Sequence, residues 1–472
     1  MTDLKEFLYH GTRSVWVRAA SALLALLLLS GPARAQTNQA AAEDRELLDL
    51  LVLNPTELRL TGLFGRANLR KISDLYVAAD YTGALDAYRG YLLDKLAANP
   101  VDRVFRLWHP INPDPKAADL LLDGVMMIGG KEVSIGHPGT VNWTYPLTNG
   151  YPINYLEFPA FELFTGLGFA PLLDVYTKTR DRRYLDRWVA YMDDWCANER
   201  YLSEVHGCLI PSPVNSRMGD GVLSFTALLS RFARAGIPSD ESIPSRTLMR
   251  VLRKYLREMP LTSVAYTRSN PHNWTPTAAH VGIAMMYDEF RWAPTFMREG
   301  RRRNIEDNAV TQNLRDGSES QQCPWYNDNY VKAIHNLFSL FEIRDGYPAW
   351  TEPNWVREWT SDLDARDEMS DHLADRAAYQ IHLRTARGER PIPFRGGDPR
   401  PAAFASYSVS PEAYRRPDVR EILRAMSDPT FETSFNSEWF PYGGYNIVRD
   451  SWHVGPRSGH AAMFASPMPG SY

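Results

Sequence analysis

Cysteine is scarce, with three residues in a chain of 472, and that excludes a disulfide-built fold. Cys196 and Cys208 are close enough in sequence to pair in an exported protein, with Cys323 left over; both also suit a role as small buried hydrophobes, and the spacing matches no zinc site. Lysine is scarce too. Eight lysines stand among 52 basic residues against 56 acidic ones, a net charge of −4. A chain without basic excess lacks the electrostatic footprint of a dedicated nucleic-acid binder. Beyond residue 29 no apolar run approaches the roughly 20 residues that span a bilayer. An alternating strand pattern is missing until residue 439, and no repeat signature of a solenoid is visible.

What is present begins with a leader. Arg13 and Arg18 precede an apolar run from Ala19 to Leu29, and Ala33-Arg34-Ala35 offers the small residues of a cleavage site. Residues 1–35 therefore read as a signal peptide cut before Gln36, with an uncleaved anchor as the alternative. The expected location is the periplasm or the exterior, with no membrane contact after cleavage. Its removal leaves 48 basic against 54 acidic residues, a net −6.

Helical periodicity dominates the rest. Ala40 to Leu53 and Leu75 to Leu96 carry apolar residues at helical intervals, the second interrupted at Tyr81-Thr82-Gly83. Proline and glycine crowd Pro100 to Gly139, which predicts a long connection with one short element around Leu120 to Ile128. From Val141 onward the pattern is of paired helices. After an apolar stretch from Phe161 to Tyr176, one helix face reads Tyr184, Leu185, Trp188, Tyr191, Met192 and Trp195. Further faces are marked by Phe225 to Phe232, Leu248 to Tyr255, Ala278 to Phe290, Ala309 to Leu314 and Val331 to Phe341. Short turns such as Gly236-Ile237-Pro238 and Asp345-Gly346-Tyr347-Pro348 join them. Successive helices on short turns pack antiparallel, and a long run of such hairpins closes into a ring. Glu358 to Arg387 is charged and helical, and Pro391 to Pro411 has the composition of a linker. Then Trp439 to Trp452, with its Gly443-Gly444 turn, and His460 to Phe464 read as strands. The expected class is mainly α: an (α/α) toroid of helical hairpins over 36–430, followed by the start of an antiparallel β-sandwich over 431–472.

Aromatic residues make up 12% of the chain, and several sit beside polar ones, among them Trp143, Trp274, Trp325 and Tyr326. Aromatic faces stack on sugar rings, and they also fill the cores of helical rings. Two segments group such residues with groups able to carry chemistry. Asn270-Pro271-His272-Asn273-Trp274 is one; Asp316 through Gln321-Gln322-Cys323-Pro324-Trp325-Tyr326 is the other. Two helical patterns and a basic turn at Arg301 to Arg303 separate them, which lets both face one cavity.

Taken with Asn142-Trp143, the Tyr184 to Trp195 helix, and Phe440-Pro441-Tyr442-Gly443-Gly444-Tyr445 with Arg449 and Trp452, these segments resemble the heparinase II/III superfamily of polysaccharide lyases, which includes alginate lyases. The resemblance implies β-elimination on a uronate-containing polysaccharide. Such a reaction needs a group that neutralises the uronate carboxylate while the C5 proton leaves, a base for that proton, and an acid for the departing O4. It assigns the first task to His272 with Asn273, or to Asn270, and the proton transfers to Tyr326. Trp143, Trp274, Asn270, Tyr330 and Arg449 are the expected sugar-binding residues. Asn327 departs from the family, which often has histidine there. The family's β-domain also supplies a histidine, and in some members a metal site, from a segment not found before Tyr472. The chain is thus expected to be a truncated lyase with no cofactor of its own, a divalent metal being allowed in the rest of the β-domain. Two other functions fit the residues: a non-catalytic carbohydrate-binding toroid, and an α/α-ring glycoside hydrolase. The hydrolase would need facing carboxylates, for which Asp316 or Glu319 with Asp220 are the candidates.

Overall fold

The structure is a computed structural model that describes residues 32–99, 114–128, 131–143, 163, 165–198, 213–258, 280, 282–302, 375, 378, 382, 416–428, 430–435, 437–440, 445–449, 452 and 460–464. Helix α1, Pro32–Leu48, starts four residues before the expected cleavage point and ends earlier than its apolar pattern suggested. Leu51 instead forms an isolated bridge with Phe290, because the chain there leaves the helix to pair with a distant segment. A short helix α2, Pro55–Leu60, follows, capped by Asn54, whose side chain accepts from the amides of Thr56 and Glu57.

Helices α3, Ala67–Val77, and α4, Tyr81–Ala98, form the first complete hairpin. The break between them lies at 78–80, not at Tyr81-Thr82-Gly83 as expected. Ala79 takes the left-handed conformation (φ 60°), and the Asp80 side chain caps α4 by accepting from the Gly83 amide. Gly83 is part of that cap: a Cβ there would lie 2.3 Å from an Asp80 carboxylate oxygen. Gly83 thus begins a helix that its composition seemed to interrupt.

Among the described residues the expected long connection holds a helix and two strands. Asp114 caps helix α5, Pro115–Leu122, and strands β1, Val125–Ile128, and β2, Lys131–Ser134, pair antiparallel with Ile128 opposite Lys131. Helices α6, Ala170–Thr179, and α7, Arg182–Ala197, make the next hairpin across a two-residue turn in which Arg180 is left-handed (φ 60°). The face anticipated on α7 is buried in full, from Tyr184 to Trp195. Tyr191 stacks on Phe169 at 4.4 Å, and its hydroxyl donates to the Leu121 and Gly136 carbonyls, tying the β-hairpin to the helices. Helix α8, Pro213–Arg234, is followed through the left-handed Gly236 turn and a 3-10 turn, Ser239–Glu241, by helix α9, Ser245–Arg253. Phe225, Leu228, Leu229 and Phe232 of α8 and Leu248, Val251 and Leu252 of α9 are buried.

Helix α4 packs against α1, α3, α8 and α9, and α6 against α5, α7 and α8. One continuous core runs from Leu47 to Met297. The hairpins form an (α/α) toroid. Outside the core, a charged seam joins α1 to α7 and α9: Arg246 meets Asp44, and Arg250 meets Glu43 and Asp193. The two Arg250 pairs, part-exposed on both sides, contribute about 0–1 kcal/mol each. No helix among the described residues is long and apolar enough to cross a membrane.

Asp174 of α6 is buried while its partner Arg231 is partly exposed, with one guanidinium nitrogen 3.1 Å from both carboxylate oxygens. Burial pushes the Asp174 carboxyl up to about 6, against the opposing charges of Arg231 and Lys178. An acid whose folded-state value is raised favours folding below its unfolded value of 3.8, and that contribution is lost as pH rises to about 6. Asp174→Asn should therefore gain about 2–3 kcal/mol relative to the unsubstituted protein between pH 4 and pH 7. Urea unfolding of both proteins at the two pH values checks this; an unchanged difference would contradict it.

Toward the C-terminus lie helix α10, Pro417–Ser427, and a three-stranded antiparallel sheet in the order β3 (Glu438–Phe440), β4 (Tyr445–Arg449), β5 (His460–Phe464). Both expected strand segments are present, and the first folds as a pair. Along β4, Asn446 and Val448 are exposed while Ile447 and Arg449 are buried, the alternation of a strand with one covered face.

Candidate functional site

Residues 259–279, which carry Asn270, His272, Asn273 and Trp274, lie outside the described residues, as do Tyr326, Tyr330, Asp316 and Glu319. What the structure defines is the frame on either side of the first motif. Upstream, α9 changes register into a single π turn, Lys254–Glu258, a deformation frequent at functional sites. Lys254 is buried, donates to the Trp195 carbonyl and lies 4.6 Å from the centre of the Trp195 ring. Tyr255 donates to the Thr165 carbonyl and stacks on Phe225 at 4.6 Å.

Downstream, His280 stacks on Phe296, with the rings 10° from parallel. A helical turn over 282–286 is buried throughout. The chain then crosses to the N-terminal helices, where the Val52 amide donates to the Glu289 carbonyl and the Arg291 amide to the Leu50 carbonyl. Both ends of the stretch holding Asn270 to Trp274 are therefore fixed in the core.

The strongest anchor is a buried charge cluster. Arg66 grips Asp288 with two nitrogens, at 2.9 and 2.5 Å, and the first of these also reaches the Tyr91 hydroxyl at 2.9 Å. Lys95 bridges Asp288 at 3.0 Å and Glu289 at 2.8 Å, and Tyr88 donates to the other Glu289 oxygen at 2.8 Å. Burial opposes ionisation of Asp288, but Arg66 and Lys95 outweigh it and hold the carboxyl well below the usual range. Burial raises Glu289 against the opposing charge of Lys95, with the Asp288 charge beside it adding to the rise. Burial likewise pushes the Tyr91 phenol up to about 12. Asp288 and Glu289 are a carboxylate pair, yet they are sealed and bonded to cations, so they cannot reach a polysaccharide. Their role is structural.

Two expected sugar-binding residues are described, and neither presents a binding face. Trp143 is 5% exposed and packs edge-on against Phe169, because the turn after β2 folds its ring onto the α6–α7 hairpin. Arg449 is 4% exposed; its guanidinium lies 3.7 Å from the centre of the Trp452 ring and donates to the His382 carbonyl. It braces the sheet at the end of β4. Asp220, one of the hydrolase candidates, belongs to α8. Cys196 is buried in the last turn of α7, and Cys208 and Cys323 lie outside the described residues. Among the described residues no group of three or more His, Cys, Asp or Glu side chains is placed to hold a metal ion. The charge cluster was missed in the sequence. An Asp-Glu pair inside the apolar run from Ile283 to Trp292 was its one visible sign.

No known family profile matches the sequence, and no curated protein matches it. Solved structures do. The heparan sulfate lyase HepC from Pedobacter heparinus is 16% identical, with a TM-score of 0.60 over 90% of this chain and 61% of its own. A heparinase III structure is 14% identical, with a TM-score of 0.58 over 89% of this chain and 61% of its own. Another heparinase III is 16% identical, with a TM-score of 0.57 and the same 90% and 61% coverage. The chain thus spans about three fifths of the length of the structures it matches, and across that length it has the fold of a heparinase III-like polysaccharide lyase.

Proposed function

We propose that this protein is an exported lyase that cleaves an acidic, uronate-containing polysaccharide by β-elimination, with glycosaminoglycans of the heparan type the favoured substrates. The observation that carries the reading is the fold shared with heparan sulfate lyases over 90% of the chain. In this scheme His272 and Asn273 bind the uronate carboxylate and stabilise the charge that develops as the C5 proton leaves. Tyr326 takes that proton and returns one to the departing O4. Asn270, Trp274 and Tyr330 hold the neighbouring sugars.

The test is incubation with a panel of heparan sulfate, heparin, chondroitin sulfate, hyaluronan and alginate. β-Elimination creates a C4–C5 double bond that absorbs in the ultraviolet, and the expected result is such absorbance, strongest with heparan sulfate. New reducing ends without absorbance would replace the lyase with a hydrolase. Binding without either product would leave a carbohydrate-binding toroid.

A further inference from the structure

Between Leu58 and Ser73 the chain carries four basic residues and no acidic one, although the whole protein is net acidic. Arg66 turns inward to Asp288. Arg59, Arg70 and Lys71 stay exposed. Arg59 belongs to α2 and Arg70 to α3, yet both guanidiniums converge on the ring of Phe64, at 4.7 and 5.2 Å from its centre.

Neither arginine is in an ion pair with any described carboxylate. Asp74 lies one turn from Arg70 on α3, but Arg70 turns to the ring instead, and Glu57, two residues from Arg59, is taken by Arg291. Two like charges gathered on one ring repel each other. The ring repays part of that through its negative face, about 0.5–1 kcal/mol per cation at an exposed site. An oxyanion between the two forks would offset the rest.

The platform is fixed before any ligand arrives. Phe64 sits on a single 3-10 turn, Leu63–Gly65, entered through left-handed Gly62 (φ 78°) and pinned by the fully buried Leu63. Thr61 closes α2 by donating its hydroxyl to the Glu57 carbonyl at 2.9 Å. Leu69 and Ile72 seat α3 in the core. Arginines held on a rigid ring lose less freedom on binding than free side chains do, and their planar forks match sulfate and carboxylate.

We infer that Arg59 and Arg70, converging on Phe64, form an accessory site for the sulfate or carboxylate groups of an acidic polysaccharide. The polysaccharide as ligand rests on the proposed function; the convergence of unpaired arginines does not. The site would hold a long chain to the protein through residues remote in sequence from His272 and Tyr326.

The experiment compares the full chain with Arg59→Gln/Arg70→Gln and with a control, Arg182→Gln/Arg183→Gln, which removes the same charge from exposed arginines already paired with Asp186 and Asp181. Dissociation constants for heparan sulfate polymer are read calorimetrically, with far-ultraviolet dichroism to verify folding. The expected result is about tenfold weaker binding for the Arg59/Arg70 variant and less than twofold for the control. Arg59→Lys/Arg70→Lys, which keeps the charge but loses the fork, falls between. Equal loss in variant and control, no binding by the unsubstituted protein, or equal competition by duplex DNA of matched charge would overturn the site. Binding is read without turnover. A protein that binds through these arginines and cleaves nothing would refute the lyase and keep the site; one that cleaves with no change in the variant would do the reverse.

Discussion

Lys95→Met lowers the stability of the protein by about 3–5 kcal/mol, the effect expected when one partner of a buried ion network is removed. The methionine fills the space of the lysine stem, so the loss is electrostatic. Asp288 keeps Arg66, but Glu289, fully buried, loses the cation bonded to it. A carboxylate left in that position takes up a proton. Its folded-state value, already raised by burial, rises further, so stability in the variant is retained below the unfolded value and lost as pH rises through the folded one. The deficit measured by chemical unfolding should thus be largest near neutral pH and shrink on acidification. Lys95→Met/Glu289→Gln separates charge from packing, since an amide in place of Glu289 can still accept from Tyr88 without carrying charge. Recovery of at least half the loss in the double variant is the expected result. No recovery, or a deficit independent of pH, would mean that Lys95 acts through its apolar stem alone.

That cluster also shows where the sequence stops being legible. Its four charged members stand at 66, 95, 288 and 289, and only Asp288 and Glu289 are neighbours. Asp-Glu inside an apolar run signals burial, and burial demands cations, but nothing local says which of 52 basic residues answers. The helix faces were legible for the opposite reason. Tyr184, Leu185, Trp188, Tyr191, Met192 and Trp195 follow one another at three- and four-residue steps, and the structure buries that face. Local breaks were harder. Gly83 has the composition of an interruption, and only the Asp80 carboxylate against its Cα reveals a cap. Strands β1 and β2 are four residues each within a stretch rich in proline and glycine, too short for alternation to stand out. Trp143 illustrates a third limit. A tryptophan beside asparagine reads equally as a sugar platform or a core residue, and the neighbour that decides it, Phe169, is 26 positions away. For the candidate site, the sequence supplies residue identities in a lyase-like order, while the structure supplies the fixed frame on both sides of Asn270 to Trp274.

Tyr326→Phe should reduce the turnover of the proposed lyase by about 10²- to 10⁴-fold, the range typical for loss of a positioned acid or base, with little change in KM. The substitution removes one oxygen and leaves the ring, so sugar packing persists while proton transfer does not. A free phenol titrates near ~10. To act as a base near neutrality Tyr326 needs a nearby cation, and His272 is the candidate within the same scheme. That coupling makes the two residues distinguishable. With Tyr326 present, the rate should rise with pH along a limb set by the phenol; in Tyr326→Phe the residual rate should lose that limb. His272→Ala removes carboxylate neutralisation, so it should raise KM and lower turnover together, and it should move the limb to higher pH if the imidazole helps ionise the phenol. Full activity in Tyr326→Phe would end the assignment of proton transfer to this residue. An unshifted limb in His272→Ala would leave Tyr326 as base but transfer the depression of its phenol to another cation. The binding constant for heparan sulfate polymer should stay unchanged in Tyr326→Phe and fall in Arg59→Gln/Arg70→Gln, because the first acts on the bond being broken and the second on the chain being held.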